Sequence, residues 1–568
     1  MTLLKKNFYK LIFQMEMKMY KFMYFLKNSI KNWVFNMIMK KYSCLTKEQN
    51  ERWNIKGVNL GGLFVLEPWI TPSLFYQFLN VRDSEKIGMD MFSFCHALGP
   101  NEGKRQLNSH FEKWVNESHL IDLVNRKITH VRIPIGDWMF FPYGPYIGCT
   151  DDSIKYLDHI LTLCEKHGLK VLLDLHGVKD SQNGLDNSGK TNELQYVVSP
   201  TNNQRDGTLT FIHWSIISGN WIGDFNIMNK SYTSINHHNI DFTKNTLYSI
   251  IDKYKDHKAI FGIEALNEPW VYTPIDVLKD FYYDVYSYLH YNAPHLKFVY
   301  HDSFRNDVWD GFLTNCSNVA LDWHIYQAWN IERYGDQFLL EADSYDQYID
   351  NFKQKGIQLV IGEYSLATDN CAMWLNGFQD NLEGFPITEC KFAPCPFPYI
   401  DVKDLNRIEQ ITSPYGTGLS SPRMGTCPYD GLLIIDDSED VFMNKLGKKK
   451  IDALSQSQGW FFWNFRTEYD QEVKWSYIQS YDNGYFKGSE IDPINYYPYY
   501  GLGVFCMFMI FGIGFISRSF MMKKSTSEQG VQQTELKSYP YSNLKGGLST
   551  GNIMTKYHYE SIENSESK

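Results

Sequence analysis

The sequence predicts an α/β fold, a (β/α)8 TIM barrel with long insertions after strands 3 and 7, and three observations predict it. Eight short runs rich in apolar and β-branched residues recur along the 568 residues. Most are separated by segments whose apolar residues repeat at three and four, and each run ends in polar residues. Near-continuous apolar strands alternating with helices belong to a parallel sheet covered on both faces, and eight of them close into a barrel.

In chain order the expected strands are KGVNLGG (56–62), HVRIPIG (130–136), KVLLDLHG (170–177), IFGIEALNEP (260–269), KFVYHD (297–302), VALDWHIY (319–326), QLVIGEYS (358–365) and GWFFWNF (459–465). Helical spacing is clearest over 153–167 and 276–289. Two connections are long, 178–245 and 366–455, and on this reading both hang over the active face. Chemistry in such a barrel is done where the strands end. The residues to interrogate are therefore Asn59, Arg132, His176, Asn267, Glu268, His324, Tyr326, Glu363 and Trp463.

A glycosidic bond is cut by two carboxyl groups, one protonating the leaving oxygen and the other attacking the sugar or activating water. Glu268 is expected to close the fourth strand and Glu363 the seventh, so the two would face each other across the barrel mouth. Glu264 shares the face of Glu268 by alternation but lies deeper. A buried carboxylate there requires a partner, so Glu264 is expected to be structural.

The segments GVNLGGLFVLEPWITPSLF (57–75), HVRIPIGDW (130–138), LLDLHG (172–177), SQNGLDNSG (181–189), LNEPW (266–270), DWHIYQ (322–327), GEYSLATDNCAMWLNGF (362–378) and GWFFWNFRTE (459–468) resemble glycoside hydrolase family 5, specifically the fungal-type exo-β-1,3-glucanases. The resemblance runs in order from about residue 52 to 487. It implies Glu268 as acid/base and Glu363 as nucleophile of a retaining glycosidase that releases glucose from the non-reducing end of β-1,3-glucan. It places Arg132 and Asn267 against the nucleophile and the sugar 2-hydroxyl, and His176, His324 and Tyr326 in the surrounding polar shell. Trp463 becomes the floor beneath the sugar, while Glu67 and Asp186 hold the terminal glucose. Arg132 is expected to keep the pKa of Glu363 low, and the charge of Glu363 to keep Glu268 protonated. Two departures concern the aromatic clamp on the leaving-group side, where Leu185 and Trp329 stand, and Lys179-Asp180 replaces the usual Pro-Gly. Linkage preference, and the balance between hydrolysis and transfer to another sugar, are therefore open. Another β-glucoside such as a glycolipid, or an inactive glucan-binding surface protein, are the alternative readings. No metal or cofactor is expected, and the body is expected to be monomeric.

Net charge is −10, but the first 44 residues carry nine lysines and one glutamate, so the remainder is strongly acidic. An acidic body excludes a nucleic-acid partner. Residues 1–50 read as a basic arm; a weak signal anchor, a solvated segment and an over-extended gene start are all open. The barrel is expected over 51–490 and a transmembrane helix over 496–517, within a stretch (493–517) that holds no Asp, Glu, Lys or Arg. Tyr496, Tyr497, Tyr499 and Tyr500 gather at one edge and Arg518, Lys523 and Lys524 follow the other. This predicts a lumenal or extracellular body and a disordered cytoplasmic tail over 518–568. Three glycosylation triplets, at Asn116, Asn229 and Asn315, fall on the lumenal side. Cys371, Cys390, Cys395 and Cys427 crowd into one stretch and predict one or two disulfides.

Overall fold

A computed structural model describes residues 41–45, 52–78, 84–191, 195–198, 209–212, 219–226, 229–329, 335–369, 372, 374–375, 438–468 and 473–492. Eight parallel strands close a barrel: β1 (Ile55–Asn59), β2 (His130–Gly136), β3 (Lys170–Gly177), β4 (Ile260–Glu264), β5 (Lys297–His301), β6 (Val319–Ile325), β7 (Leu359–Tyr364) and β8 (Gly459–Phe462). Each strand pairs with its sequence neighbours, and β1 meets β8 from Ile55–Gly459 to Val58–Phe462.

Helices α1 (Met91–Trp114), α2 (Glu117–Asn125), α3 (Ser153–Lys166), α4 (His237–Tyr254), α5 (Ile275–Asn292), α6 (Gln337–Gln354), α7 (Glu439–Leu454) and α8 (Tyr477–Asp482) complete the described elements. Sequence caps set several starts. Asp90 and Ser93 form a reciprocal box before α1, and Asn116 and His119 do the same before α2. Between β5 and β6 no α-helix forms; the chain returns through 302–318, where Trp309 and Phe312 pack on Tyr300. The insertion after β3 contains two short antiparallel pairs, 195–198 with 209–212 and Phe225–Asn226 with Ser231–Tyr232. Most of the insertion before α7 lies outside the described residues.

Alternation sorts the side chains into two cores. Outward residues such as Val131, Ile133 and Leu173 join a large cluster with the helices. Inward, Ile55, Leu172, Val299, Ala320, Val360 and Phe461 form a separate apolar floor. The polar residues of the barrel interior stand above that floor.

Two boundaries differ from expectation. The fourth strand ends at Glu264, so Glu268 lies four residues past it, in a connection where its φ is +41°. The expected arm also overlaps the body. Tyr42 is buried against Tyr283 and Phe312, its hydroxyl donates to Asp280, and Cys44 is bonded to Cys316. A second disulfide joins Cys95 to Cys149. The four clustered cysteines expected to pair lie outside the described residues, as does the expected membrane helix at 496–517. Among the described residues no helix is long and apolar enough to cross a membrane.

Candidate active site

Arg132, third residue of β2, organises the barrel mouth from below. It is fully buried and donates to Glu264 through Nε (2.7 Å), to Asn59 (2.9 Å) and Glu363 (2.8 Å) through one terminal nitrogen, and to Asn267 (2.8 Å) through the other. Asp174 lies 3.1 Å from the guanidinium. Burial works against the charge, but Asp174, Glu264 and Glu363 outweigh it and hold Arg132 firmly protonated. Glu264 is paired and structural, as expected.

Glu363 faces inward because β7 is bulged. Opposite Asp322 and His324 of β6 stand Val360 and Glu363, so β7 has one residue more over the same interval. Val360 belongs to the floor, and strict alternation would turn Glu363 outward; the extra residue re-aims it. Gly362 makes room, since its amide donates to Asp322 (2.5 Å) and a Cβ there would collide with that carboxylate. Glu363 then accepts from Arg132 and from the Tyr326 hydroxyl (2.7 Å).

Glu268 is held by its loop. Its neighbour Asn267 donates its amide to the Leu175 carbonyl, and Gln182 grips the carbonyls of both His176 and Asn267. Those bonds sustain a backbone conformation that glutamate rarely adopts. The Glu268 carboxylate sits 2.7 Å from His324 Nδ1 and accepts from Asn187 at 3.0 Å. His324 Nδ1 is also 3.4 Å from Glu363, and its Nε2 faces Asp322 at 3.1 Å.

With carboxylates on both nitrogens, His324 is raised well above the ordinary histidine value despite its burial, by the charges of Glu363 and Asp322 and the bonds to Asp322 and Glu268. This reverses the expected order of the pair. Burial raises Glu268, but the His324 bond and the charges of His324 and His176 outweigh it, leaving Glu268 below its ordinary value. Burial raises Glu363, with Glu268 adding to it, and His324 and Arg132 only partly offset that rise.

Around the pair, His176 is bonded to Asp174 (2.5 Å) and lies parallel to Trp463, ring centroids 5.5 Å apart. Gly61 must lack a side chain there, because a Cβ would press within 3.0 Å of the Trp463 ring. Glu67 accepts from Trp69 through one oxygen (2.9 Å). Its other oxygen, and Oδ2 of Asp186, are buried without a hydrogen-bond partner among the described residues. Burial raises Glu67 well above its usual range, with the charges of Asp186, Glu363 and Glu268 adding to it, which places it beside both candidate carboxylates. Burial, then the charge of Asp90, pushes Asp186 to about 7. Trp329 packs on Tyr326 and Trp475, while Leu185 is exposed.

Every predicted site residue is thus in or beside one constellation. Sequence reasoning missed Asp174, Asp322, Gln182 and Asn187. The first two carried a signal, the Asp-x-His repeats of β3 and β6 that put both side chains on one strand face. Gln182 and Asn187 sit in a loop without periodicity and carried none. Glu268, His301 and His324, and Glu264, Asp322 and His324, bring metal-ligand atoms within 4.8 Å of one another. In both groups the nitrogens of His324 already face carboxylates, and in the second Arg132 supplies the balancing charge to Glu264.

Residues 95–381 match the model of the family described as cellulase (glycosyl hydrolase family 5). Similar curated proteins are glucan 1,3-beta-glucosidases. That of Blumeria graminis is 30% identical over 429 residues, covering 73% of this chain and 82% of its own length. That of Candida oleophila is 30% identical over 440 residues, covering 74% and 85%. Among solved structures, the rutinosidase from Aspergillus niger is 15% identical with a TM-score of 0.48 and covers 77% of this chain and 100% of its own. One described as AoRut is 15% identical with a TM-score of 0.50, covering 77% and 98%. These structures share the fold alone.

Proposed function

The chain belongs to glycoside hydrolase family 5, and from that premise we propose that it is a retaining glucan 1,3-β-glucosidase that releases glucose from the non-reducing end of β-1,3-glucan. The observation that carries the retaining mechanism is the single His324 nitrogen standing 2.7 Å from Glu268 and 3.4 Å from Glu363. The nearest oxygens of the two carboxylates can be no farther apart than the sum of those distances, which is under the roughly 6.5 Å at which inverting pairs begin.

In this reading Glu363, oriented by Arg132 and Tyr326, attacks the anomeric carbon and the glycosidic oxygen leaves. Glu268 delivers the proton to that oxygen, having taken it across the short bond from the His324 imidazolium. A water then attacks the glycosyl-enzyme, its proton going to Glu268 as Glu363 is released. The partnerless oxygens of Glu67 and Asp186 suit the hydroxyls of a terminal glucose, since a buried acceptor without a donor costs about 1–3 kcal/mol. Trp463 supplies the apolar surface against which the sugar ring rests.

Replacing Glu363 by Gln is expected to abolish glucose release from laminarin and from an aryl β-glucoside; ordinary turnover by that variant would end the proposal. Transfer to a sugar hydroxyl is a second reading, favoured by the Trp329–Tyr326–Trp475 wall beside Glu363, which could hold an acceptor ring. Chain lengthening at high oligosaccharide concentration would select it over hydrolysis. The body is read as lumenal or extracellular and held by a span at 496–517, supported by the tyrosine and lysine asymmetry of that segment.

A further inference from the structure

Lys450 is a buried cation that the mechanism above does not use. It lies in α7, outside the barrel, with no exposed surface, and its amine donates to the Ser365 carbonyl at 2.8 Å. A buried ammonium is costly where an apolar side chain of similar length would pack without penalty. Burial accordingly lowers Lys450 to about 7, against the charge of Glu341. Protonated or neutral, the amine still has N–H groups to donate.

The place of that bond gives it a purpose. Ser365 is two residues beyond Glu363, at the exit of β7. The ladder ends at Tyr364, which pairs with Ile325 on one side and Phe462 on the other. Pairing is irregular on both flanks around Glu363, between Asp322 and His324 of β6 and between Ile361 and Tyr364 of β7. A bulge re-aims a side chain but gives up regular ladder support. The chain just past it therefore needs another anchor, and the Lys450 amine holds the Ser365 carbonyl there.

The neighbouring strand is held in a related way. Gln327 donates to Glu341 (3.1 Å) and to the Phe338 carbonyl (3.0 Å), and it directly follows Tyr326, whose hydroxyl meets Glu363. Lys450, Glu341 and Gln327 thus form a polar group behind the two strand ends whose side chains meet at 2.7 Å in the site.

Resting on the retaining reading above, we propose that Lys450 is a positioning residue for the nucleophile: by holding the Ser365 carbonyl it fixes the exit of the bulged strand and so the aim of Glu363. Its role is mechanical, so a neutral donor of suitable reach should replace it.

The test uses the full chain with K450M, which removes the donor at similar length, and K450Q, which keeps one. A 2-deoxy-2-fluoroglucosyl fluoride traps the covalent intermediate and reads the nucleophile directly, alongside kcat and KM on an aryl β-glucoside. In K450M, kcat and the labelling rate should fall together by about tenfold, because a misplacement of around 1 Å can cost up to roughly 100-fold. KM should stay within about twofold, and K450Q should recover to within about threefold of the unaltered protein. Thermal melting confirms that each variant is folded; if K450M does not fold, K450A takes its place with the same expectation. A folded K450M or K450A that is labelled at the original rate, or a K450Q as impaired as the variant lacking the donor, would overturn the inference. Failure to label Glu363 in the unaltered protein would instead overturn the retaining reading.

Discussion

His324 carries the pH response of the site, because its two ring nitrogens face carboxylates that would otherwise repel one another. Its cation lowers both Glu363 and Glu268, so H324Q must let both rise. Activity requires Glu363 ionised and Glu268 able to hold a proton. The acid limb of kcat/KM, which reports the free enzyme, is therefore expected to move to higher pH in H324Q, and the alkaline limb with it. A pH profile with an unmoved or lowered acid limb would count against this assignment. The same geometry explains why the expected order of the pair was reversed. Sequence reasoning weighed Arg132 against one neighbouring charge; it had no means of weighing full burial, or of seeing one imidazole touch both carboxylates.

At the scale of elements, two departures from regularity build the site. The extra residue in β7 turns Glu363 inward, and the early end of β4 hands Glu268 to a loop braced by Gln182 and Leu175. The arm that reads as an appendage is tied into the body through Cys44–Cys316, which closes a separation of 272 residues. Crosslinks stabilise mainly by limiting the unfolded chain, so C44A/C316A is expected to lose roughly 2–5 kcal/mol. A lowered denaturant midpoint would register that loss. An unchanged midpoint would mean that Tyr42 and its contacts with Tyr283, Phe312 and Asp280 hold the arm unaided.

For the whole molecule, the barrel interior is divided by height. An apolar floor of six residues excludes water from below, and a charged layer around Arg132 lies above it. Beneath the mouth every charge is paired, which is how so many ionisable groups are tolerated in one interior. The compact unit that holds the barrel ends at Pro493. If the apolar stretch that follows is the anchor, a chain cut after Pro493 should appear in the soluble fraction with glucosidase activity per molecule unchanged. A truncated chain that stays with the membrane would place the anchor elsewhere, with the basic arm as the next candidate.

The order and number of barrel strands followed from sequence alone, because a strand buried on both faces needs an apolar run and such runs are visible locally. β2 and β3 begin and end at the predicted residues. Glu268 and Glu363 were also legible, as carboxylates beside strand ends in segments that resemble a known family. Tertiary structure alone decided which way Glu363 points, which cysteines pair among the described residues, and how charge settles between the two glutamates. Each depends on atoms brought together from distant parts of the chain: a one-residue mismatch between β6 and β7, a loop side chain such as Asn187 reaching Glu268, and a histidine shared by two acids. Local periodicity records which face a residue prefers, but it holds no information about which partner will be waiting there.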